Sequence, residues 1–247
     1  MPRHTIVGGN AWMAQVLPLV HEFEYDTLEA LNNTRDRAVE MLRSAAALEA
    51  SQEGEILRVK VTNLAGHKLP TGFTEGRRMW LNVRFLDFQG KILKESGAYD
   101  QETGELTMDP EIKVYEAKPG IKGVEGYPDG PSFHFAINNY VYKDNRIPPR
   151  GFTNADYEAA LAYIRGATYE DGQNWDMTGY EIPEGAARAE VVLYYQTTSK
   201  EFVEFLRDEN QDNPWDVFGA GKTIYDLWVR TGRSAPVEMA RTTVTLQ

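Results

Sequence analysis

The chain has four histidines and no cysteine, so its ligand and acid–base chemistry must rest on imidazole, carboxylate, amine and hydroxyl groups. His67 has the most pointed surroundings. It stands beside Lys68 in Gly66-His67-Lys68-Leu69-Pro70-Thr71-Gly72, and Arg77, Arg78 and Trp80 follow shortly. Neutral imidazole is a good ligand for iron, and the three nearby cations suit carboxylate partners. The same residues also read as a structural loop. Gly66 and Gly72 admit unusual backbone angles, Pro70 stiffens the path, and His67 bonds a nearby carbonyl. The segment is not a phosphate loop, because the Gly-Lys-Ser/Thr ending and the following helix are absent.

The other reactive types are more scattered. Asp144-Asn145-Arg146 forms a turn whose exit is locked by Pro148 and Pro149, with Arg146 pairing inward. Asp144 and Asn145 carry oxygen donors that could bind calcium, as do the acidic loops 169–176 and 208–216. None of them has the spacing of an EF-hand. His21 and His134 are isolated, with no His or carboxylate at the i+4 spacing of a zinc helix. There is no Gly-x-Ser-x-Gly, and Ser, His and Asp show no arrangement that nominates a hydrolase.

Composition narrows the classes further. Asp and Glu exceed Lys and Arg by 37 to 26, a formal net charge of -11. That balance argues against nucleic acid, whose binding rests on cation-driven counterion release. It fits solubility, or a partner with a basic surface. The absence of cysteine removes disulfides, thiolate metal sites and Cys nucleophiles together. No apolar run approaches the roughly 20 residues of a membrane span, and the amino terminus lacks the apolar core of a signal peptide. An export signal, if one is used, is therefore expected upstream.

The elements that must position these residues follow from periodicity. From Ala11 to Ala50 the pattern is helical, with Pro18 separating a short first helix or turn. Asp26 and Glu29 form a variant capping box that starts a helix near Thr27. Its packing face carries Leu28, Leu31, Ala38, Leu42 and Ala45. After Gly54 the period becomes two. Leu57, Val59 and Val61 make one strand, and Met79, Leu81, Val83 and Phe85 another, with a hairpin at Phe88-Gln89-Gly90 leading into 91–96. Further strands are expected at 111–116, 132–142, 189–198 and 237–246. In the second of these, 132–142, His134 would face away from Phe133 and Phe135.

Three helices are expected among the later strands. One is capped by Thr153 or Asn154 and runs through Arg165 to Gly166, one is capped by Ser199 and runs to about Arg207, and one spans 221–230 with Gly232 as terminator. The stretch 172–179 reads as a polar loop. Tyr194, Tyr195, Trp80, Trp215 and Trp228 are expected in the core. The fold class is therefore α+β, mainly an antiparallel β-sandwich with a few inserted short helices. An amphipathic helical arm over 1–53 precedes the sandwich, which occupies 54–247.

Four stretches, in order and at matching approximate spacing, resemble the carboxy-terminal, haem-free, β-rich region of bacterial multihaem c-type cytochromes. They are His4-Thr-Ile-Val-Gly-Gly-Asn10 with the amphipathic helix, Gly66 to Gly72 with Arg77, Arg78 and Trp80, Lys143 to Gly151, and Val192 to Gln196 with the Trp228 helix and Pro236. In that family a haem-carrying half precedes this region. The resemblance implies electron transfer through closely stacked c-haems in the periplasm or at the cell surface. It implies a haem-bearing amino-terminal domain of the same polypeptide and redox proteins as partners. The chain departs from the family in having no Cys-x-x-Cys-His, so it attaches no c-type haem covalently. The resemblance begins at the second or third residue, which implies a chain starting at the end of the haem region with Met1 added.

On that resemblance His4 and His67 become candidate haem ligands. His4 would reach back as a distal ligand, with Gly8 and Gly9 letting the chain pass close to the porphyrin; otherwise it is a terminal residue without a fixed place. Lys68, Arg77 and Arg78 would pair with haem propionates or support the loop. The implied role is non-catalytic, packing against the haem half and shielding or ligating one haem. Two other readings stay open: a free-standing module binding carbohydrate or a cell-surface protein through sandwich-edge loops, and an enzyme gathering His67, Lys68 and a carboxylate in one pocket.

Overall fold

A computed structural model of the chain describes residues 7–211 and 219–247. Two helices, α1 (Met13–Val20) and α2 (Tyr25–Ser44), lead into strands β1 (Ala46–Glu53), β2 (Ile56–Asn63), β3 (Arg78–Leu86) and β4 (Ile92–Ser96). Short strands β5 (Tyr99–Asp100), β6 (Glu105–Leu106), β7 (Val114–Tyr115), β8 (Ala117–Ile121), β9 (Gly130–Pro131) and β10 (Tyr140–Asp144) follow. Then come α3 (Asn154–Ala159), β11 (Trp175–Glu181), β12 (Arg188–Gln196), α4 (Lys200–Glu209), α5 (Ala220–Arg230) and β13 (Val237–Thr245).

The body is an antiparallel β-sandwich. One sheet has the order β1-β2-β11; the other has β13-β12-β3-β4, with β7 also paired to β3. Alternation puts Leu57, Val59 and Val61 of β2 inward, where they join Leu81, Val83 and Phe85 of β3 and Val191 and Leu193 of β12 in one buried cluster. Register enforces this, since Val191 lies opposite Val83 and a one-residue slip would turn every apolar side chain outward. On the outer face the same register sets Glu190 against Arg84, paired at 2.7 Å.

β3 is buried on both faces, unlike a simple two-layer strand. Its outward Trp80 is covered by Leu106 and Val114 in a second cluster, stacks near Tyr194 and Tyr99, and donates its indole N–H to the Gly97 carbonyl at 3.2 Å. A third cluster, built from Trp12 and Val16 of the α1 region, Val203 of α4, and Leu227 and Trp228 of α5, ties the helices to one end of the sandwich. A separate ribbon of β10, β8 and β9 runs beside it.

Several local expectations change. α2 starts at Tyr25 after Glu24, with no side-chain cap, so Asp26 acts through its charge in the first turn and not as part of a capping box. Of its expected face, Ala38 and Leu42 are buried with Ala45 just beyond, whereas Leu28 and Leu31 are only half-buried. The helical pattern stops at Ser44. Residues 46–53 form a strand because each finds a partner on β2. The stretch 172–179 is not a loop throughout: β11 starts at Trp175 and adds to the free edge of β2. Residues 132–139 are irregular, and only Tyr140–Asp144 make a strand, so His134 packs its ring 4.9 Å from Phe205 in the same aromatic group as Phe133. The strand expected at 111–116 shortens to β7. The Thr153-capped helix ends at Ala159, well short of Arg165, with Ala160 as its C-cap and Leu161 turned to φ 56°. Trp215 lies outside the described residues.

Candidate functional site

The loop between β2 and β3 is organised by Asn63, at the end of β2. Its buried amide donates to the carbonyls of His67 (2.7 Å), Ile147 (2.9 Å) and Pro148 (3.0 Å), while its oxygen accepts from the Ala65 N–H. Leu69 and Ile147 exchange two backbone hydrogen bonds. The 66–72 and 144–150 segments are thereby clasped together. Asn63 had no role assigned from sequence, because the partners that make it a clasp, Ile147 and Pro148, lie more than 80 residues away.

Inside the clasp, Lys68 is turned inward. Its Nζ donates to Asp144 Oδ2 at 2.8 Å and to the carbonyls of Ala162 and Tyr163, and it stands over the Tyr157 ring. Arg146 forks onto both oxygens of Asp144 at 2.7 and 2.8 Å. Burial lowers the Lys68 pKa from its ordinary value despite the Asp144 partner. Burial raises that of Asp144, but the hydrogen bonds and charges of Arg146 and Lys68 outweigh it and hold the carboxyl below the usual range. Asn145 is buried and fully engaged: its oxygen accepts from the Glu116 N–H, its amide donates to the Val114 carbonyl, and its own carbonyl accepts from Tyr169. These three residues are thus committed to holding the turn.

His67 itself is exposed, and its side chain makes no hydrogen bond among the described residues. Adjacent residues therefore part company, Lys68 going to the interior and His67 to the surface. A pocket joining His67, Lys68 and a carboxylate is not formed. His4 lies outside the described residues, as do residues 212–216 of the second acidic loop. In the first acidic loop, Asp171 accepts from the backbone and amide of Asn154, and Asp176 is turned inward toward Tyr115, Tyr169 and Lys113. Among the described residues no group of three His, Asp or Glu side chains gathers around a point that could hold a metal ion.

Arg77 and Arg78 open a different site. Arg77 donates to the Thr71 carbonyl at 2.7 Å and lies 6.0 Å from the Tyr195 ring. Arg78 is only 6% exposed. Its Nε donates to Oε1 of the fully buried Gln196 at 2.9 Å, its plane lies over Trp80, and its Nη1 reaches both oxygens of Glu201 at 3.2 and 3.3 Å. Nη2 is covered and has no partner among the described residues. Burial raises the Glu201 pKa, but the Arg78 charge and hydrogen bonds at the start of α4 bring it below its ordinary value.

Both arginines line a cleft of about 310 Å³ between the start of β3, β7, β8, Pro131 of β9 and the first turn of α4. Its apolar walls are Val114, Pro119, Pro131 and Phe133, with Met108 at an exposed margin. Glu116 and Lys118 add an ion pair at 3.1 Å. Phe133 continues into a ring group with Phe202, Phe205 and Phe73, and Phe73 and the largely exposed Phe135 stand together at the surface. The sequence signalled the two arginines but not the cleft, whose other wall comes from 108–133 and 199–201.

No family model matches this chain, and no curated protein matches it at a significant level. Among solved structures its fold is similar to that of a penta-heme cytochrome c552 from Thermochromatium tepidum, with a TM-score of 0.50 and 20% sequence identity. The similarity covers 84% of this chain and 41% of that one, so the chain spans less than half the length of the cytochrome it matches.

Proposed function

We propose that this chain is the haem-free, β-rich, carboxy-terminal region of a multihaem c-type cytochrome, with a non-catalytic role in electron transfer. In this reading it packs against a haem-bearing half of the same polypeptide in the periplasm or at the cell surface. There it shields or ligates one haem and presents a surface to redox partners. The observation that carries the reading is the agreement of fold over 84% of the chain with part of a penta-heme cytochrome. In this reading covalent haem attachment falls to the other half, since this chain has no cysteine.

His67 supports the reading by its exposure, which leaves its imidazole available to a haem edge. His4 is the second ligand candidate. Arg77 and Arg78 are better placed for propionates than Lys68, whose ammonium is already enclosed by Asp144 and two carbonyls. A free-standing extracytoplasmic binding module is the second reading, favoured by Phe73 and Phe135 standing exposed beside the cleft.

The test is the source DNA upstream of the Pro2 codon, followed by the absorption spectrum of its full product. In-frame Cys-x-x-Cys-His codons and a c-haem spectrum are expected. A stop codon or a bare signal peptide there would overturn the reading in favour of the binding module. Replacing His4 or His67 by Ala in the haem-bearing product should then alter the haem spectrum; an unchanged spectrum removes that residue as a ligand.

A further inference from the structure

We propose that the cleft at the foot of β3 is a binding site for a small organic carboxylate with a flat apolar body, and that Glu201 occupies the carboxylate position when the site is empty. The inference does not rest on the redox reading above, and it gives Arg78 to a free carboxylate in place of a haem propionate.

Size and lining come first. About 310 Å³ is at the lower end of the range for small-molecule sites, enough for a one-ring ligand. Val114, Pro119, Pro131 and Phe133 supply rigid carbon surface suited to a flat body. Such walls around a few fixed polar groups are the usual composition of a ligand site.

The polar end is built rather than incidental. Arg78 is buried and held at Nε by Gln196, itself anchored to the Ser234 carbonyl and to Tyr99. A buried guanidinium fixed at one edge presents its remaining fork in one orientation, the geometry that matches a carboxylate with two parallel hydrogen bonds. Here the fork is only half used. Glu201 meets Nη1 at 3.2 and 3.3 Å, longer than a good charge-assisted bond, and Nη2 lies covered without a partner among the described residues. The Glu201 side chain is 51% exposed, so it is readily solvated on swinging outward, while Arg78 at 7% stays in place and needs the incoming carboxylate to take over its charge. With Glu201 turned outward, the Arg78 fork is released at the cleft wall, and a ligand carboxylate can take the place Glu201 leaves.

Charge selects the ligand class. Arg77, Arg78 and Lys118 line the cleft against Glu116 and Glu201, a local excess of cations on a protein of net charge -11. The first turn of α4 adds a favourable field for an anion. One negative charge is thus accommodated. A phosphate dianion has no apolar body to fill these walls and would meet the carboxylates of Glu116 and Glu201, with Lys118 already paired to Glu116.

The experiment titrates the protein with benzoate, with benzyl alcohol as the neutral analogue and inorganic phosphate as the non-apolar anion, followed by backbone amide NMR. Saturable shifts are expected for benzoate alone, centred on Val114, Phe133 and Glu201. Glu201→Gln removes the competing charge without touching the buried fork, and benzoate should then bind about three- to tenfold tighter, the range expected for a half-exposed charge-assisted hydrogen bond. Arg78→Gln should abolish binding, with the amide spectrum confirming the fold. No saturable benzoate shift in either the parent or the Glu201→Gln protein would overturn the proposal. So would equal binding of benzyl alcohol, or an affinity unchanged or weakened by Glu201→Gln.

Discussion

Asp144 offers the sharpest test of how the 66–72 loop is held. Its side chain is 7% exposed and that of Lys68 9%, at a separation of 2.8 Å. At an effective dielectric constant near 20 the pair attraction is about 6 kcal/mol, most of it offset by taking both charges out of water. Asp144→Asn keeps the shape but leaves the Lys68 ammonium with only the Ala162 and Tyr163 carbonyls, and Arg146 without its carboxylate. Breaking a buried pair from one side costs about 3–5 kcal/mol. For a chain of this size that corresponds to a fall in Tm of about 6–20 °C, measured by calorimetry and by urea unfolding followed through tryptophan fluorescence. Adding Lys68→Met should recover at least about 1 kcal/mol, because the orphaned ammonium is gone.

The pH dependence carries a sign as well. The folded Asp144 pKa lies below its ordinary 3.8, so its contribution is complete above that value and is lost as pH falls through the folded value. The folded Lys68 pKa lies below 10.5, so between the two values the unfolded chain binds the extra proton and this residue's contribution rises with pH. The Asn variant should lose Asp144's share of the acid-side dependence, leaving that of other carboxyls held low, such as Glu201 and Glu238. A cost under about 1 kcal/mol, or no recovery in the double variant, would show that the loop does not depend on this charge cluster.

Two other expectations rest on separate contacts. Asp176→Asn should cost about 2–3 kcal/mol in urea unfolding, because that buried carboxylate accepts from the Tyr115 and Tyr169 hydroxyls and pairs with Lys113 at 2.9 Å; a loss below about 0.5 kcal/mol would mean the tyrosines are held by packing alone. Gly97→Ala should cost at least about 2 kcal/mol, since its φ is +70° and an added Cβ would lie 2.3 Å from the Leu81 carbonyl oxygen. Gly90→Ala, at φ +85° but with its nearest neighbour 3.6 Å away, should cost about 1 kcal/mol, and equal losses in thermal unfolding would refute the steric account.

The candidate site was only partly legible. The composition around His67, Lys68, Arg77 and Arg78 marked the segment, and the Asp144-Asn145-Arg146 turn was marked by its prolines. Nothing local revealed that these two segments are joined. Lys68 and Asp144 are 76 positions apart, and Asn63 binds carbonyls 84 and 85 positions away. The cleft was illegible for the same reason, because Arg78 meets Glu201 across 123 positions.

Sequence alone determined the elements whose signals are local. Period-two alternation places β2, β3, β12 and β13 close to where they lie, and hydroxyl caps at Thr153 and Ser199 start α3 and α4. The antiparallel sandwich follows from those strands. Tertiary structure decided the elements whose own preferences point elsewhere or nowhere. Ala46-Ala-Leu-Glu-Ala50 has helical composition but becomes a strand because β2 offers a complete ladder. The polar run at Trp175 becomes β11 on the opposite edge of that same strand, and 132–139 stays irregular despite its aromatic residues. A backbone hydrogen-bonding group buried beside a free edge must find a partner there, and that requirement outweighs the modest intrinsic propensity of the residues that carry it.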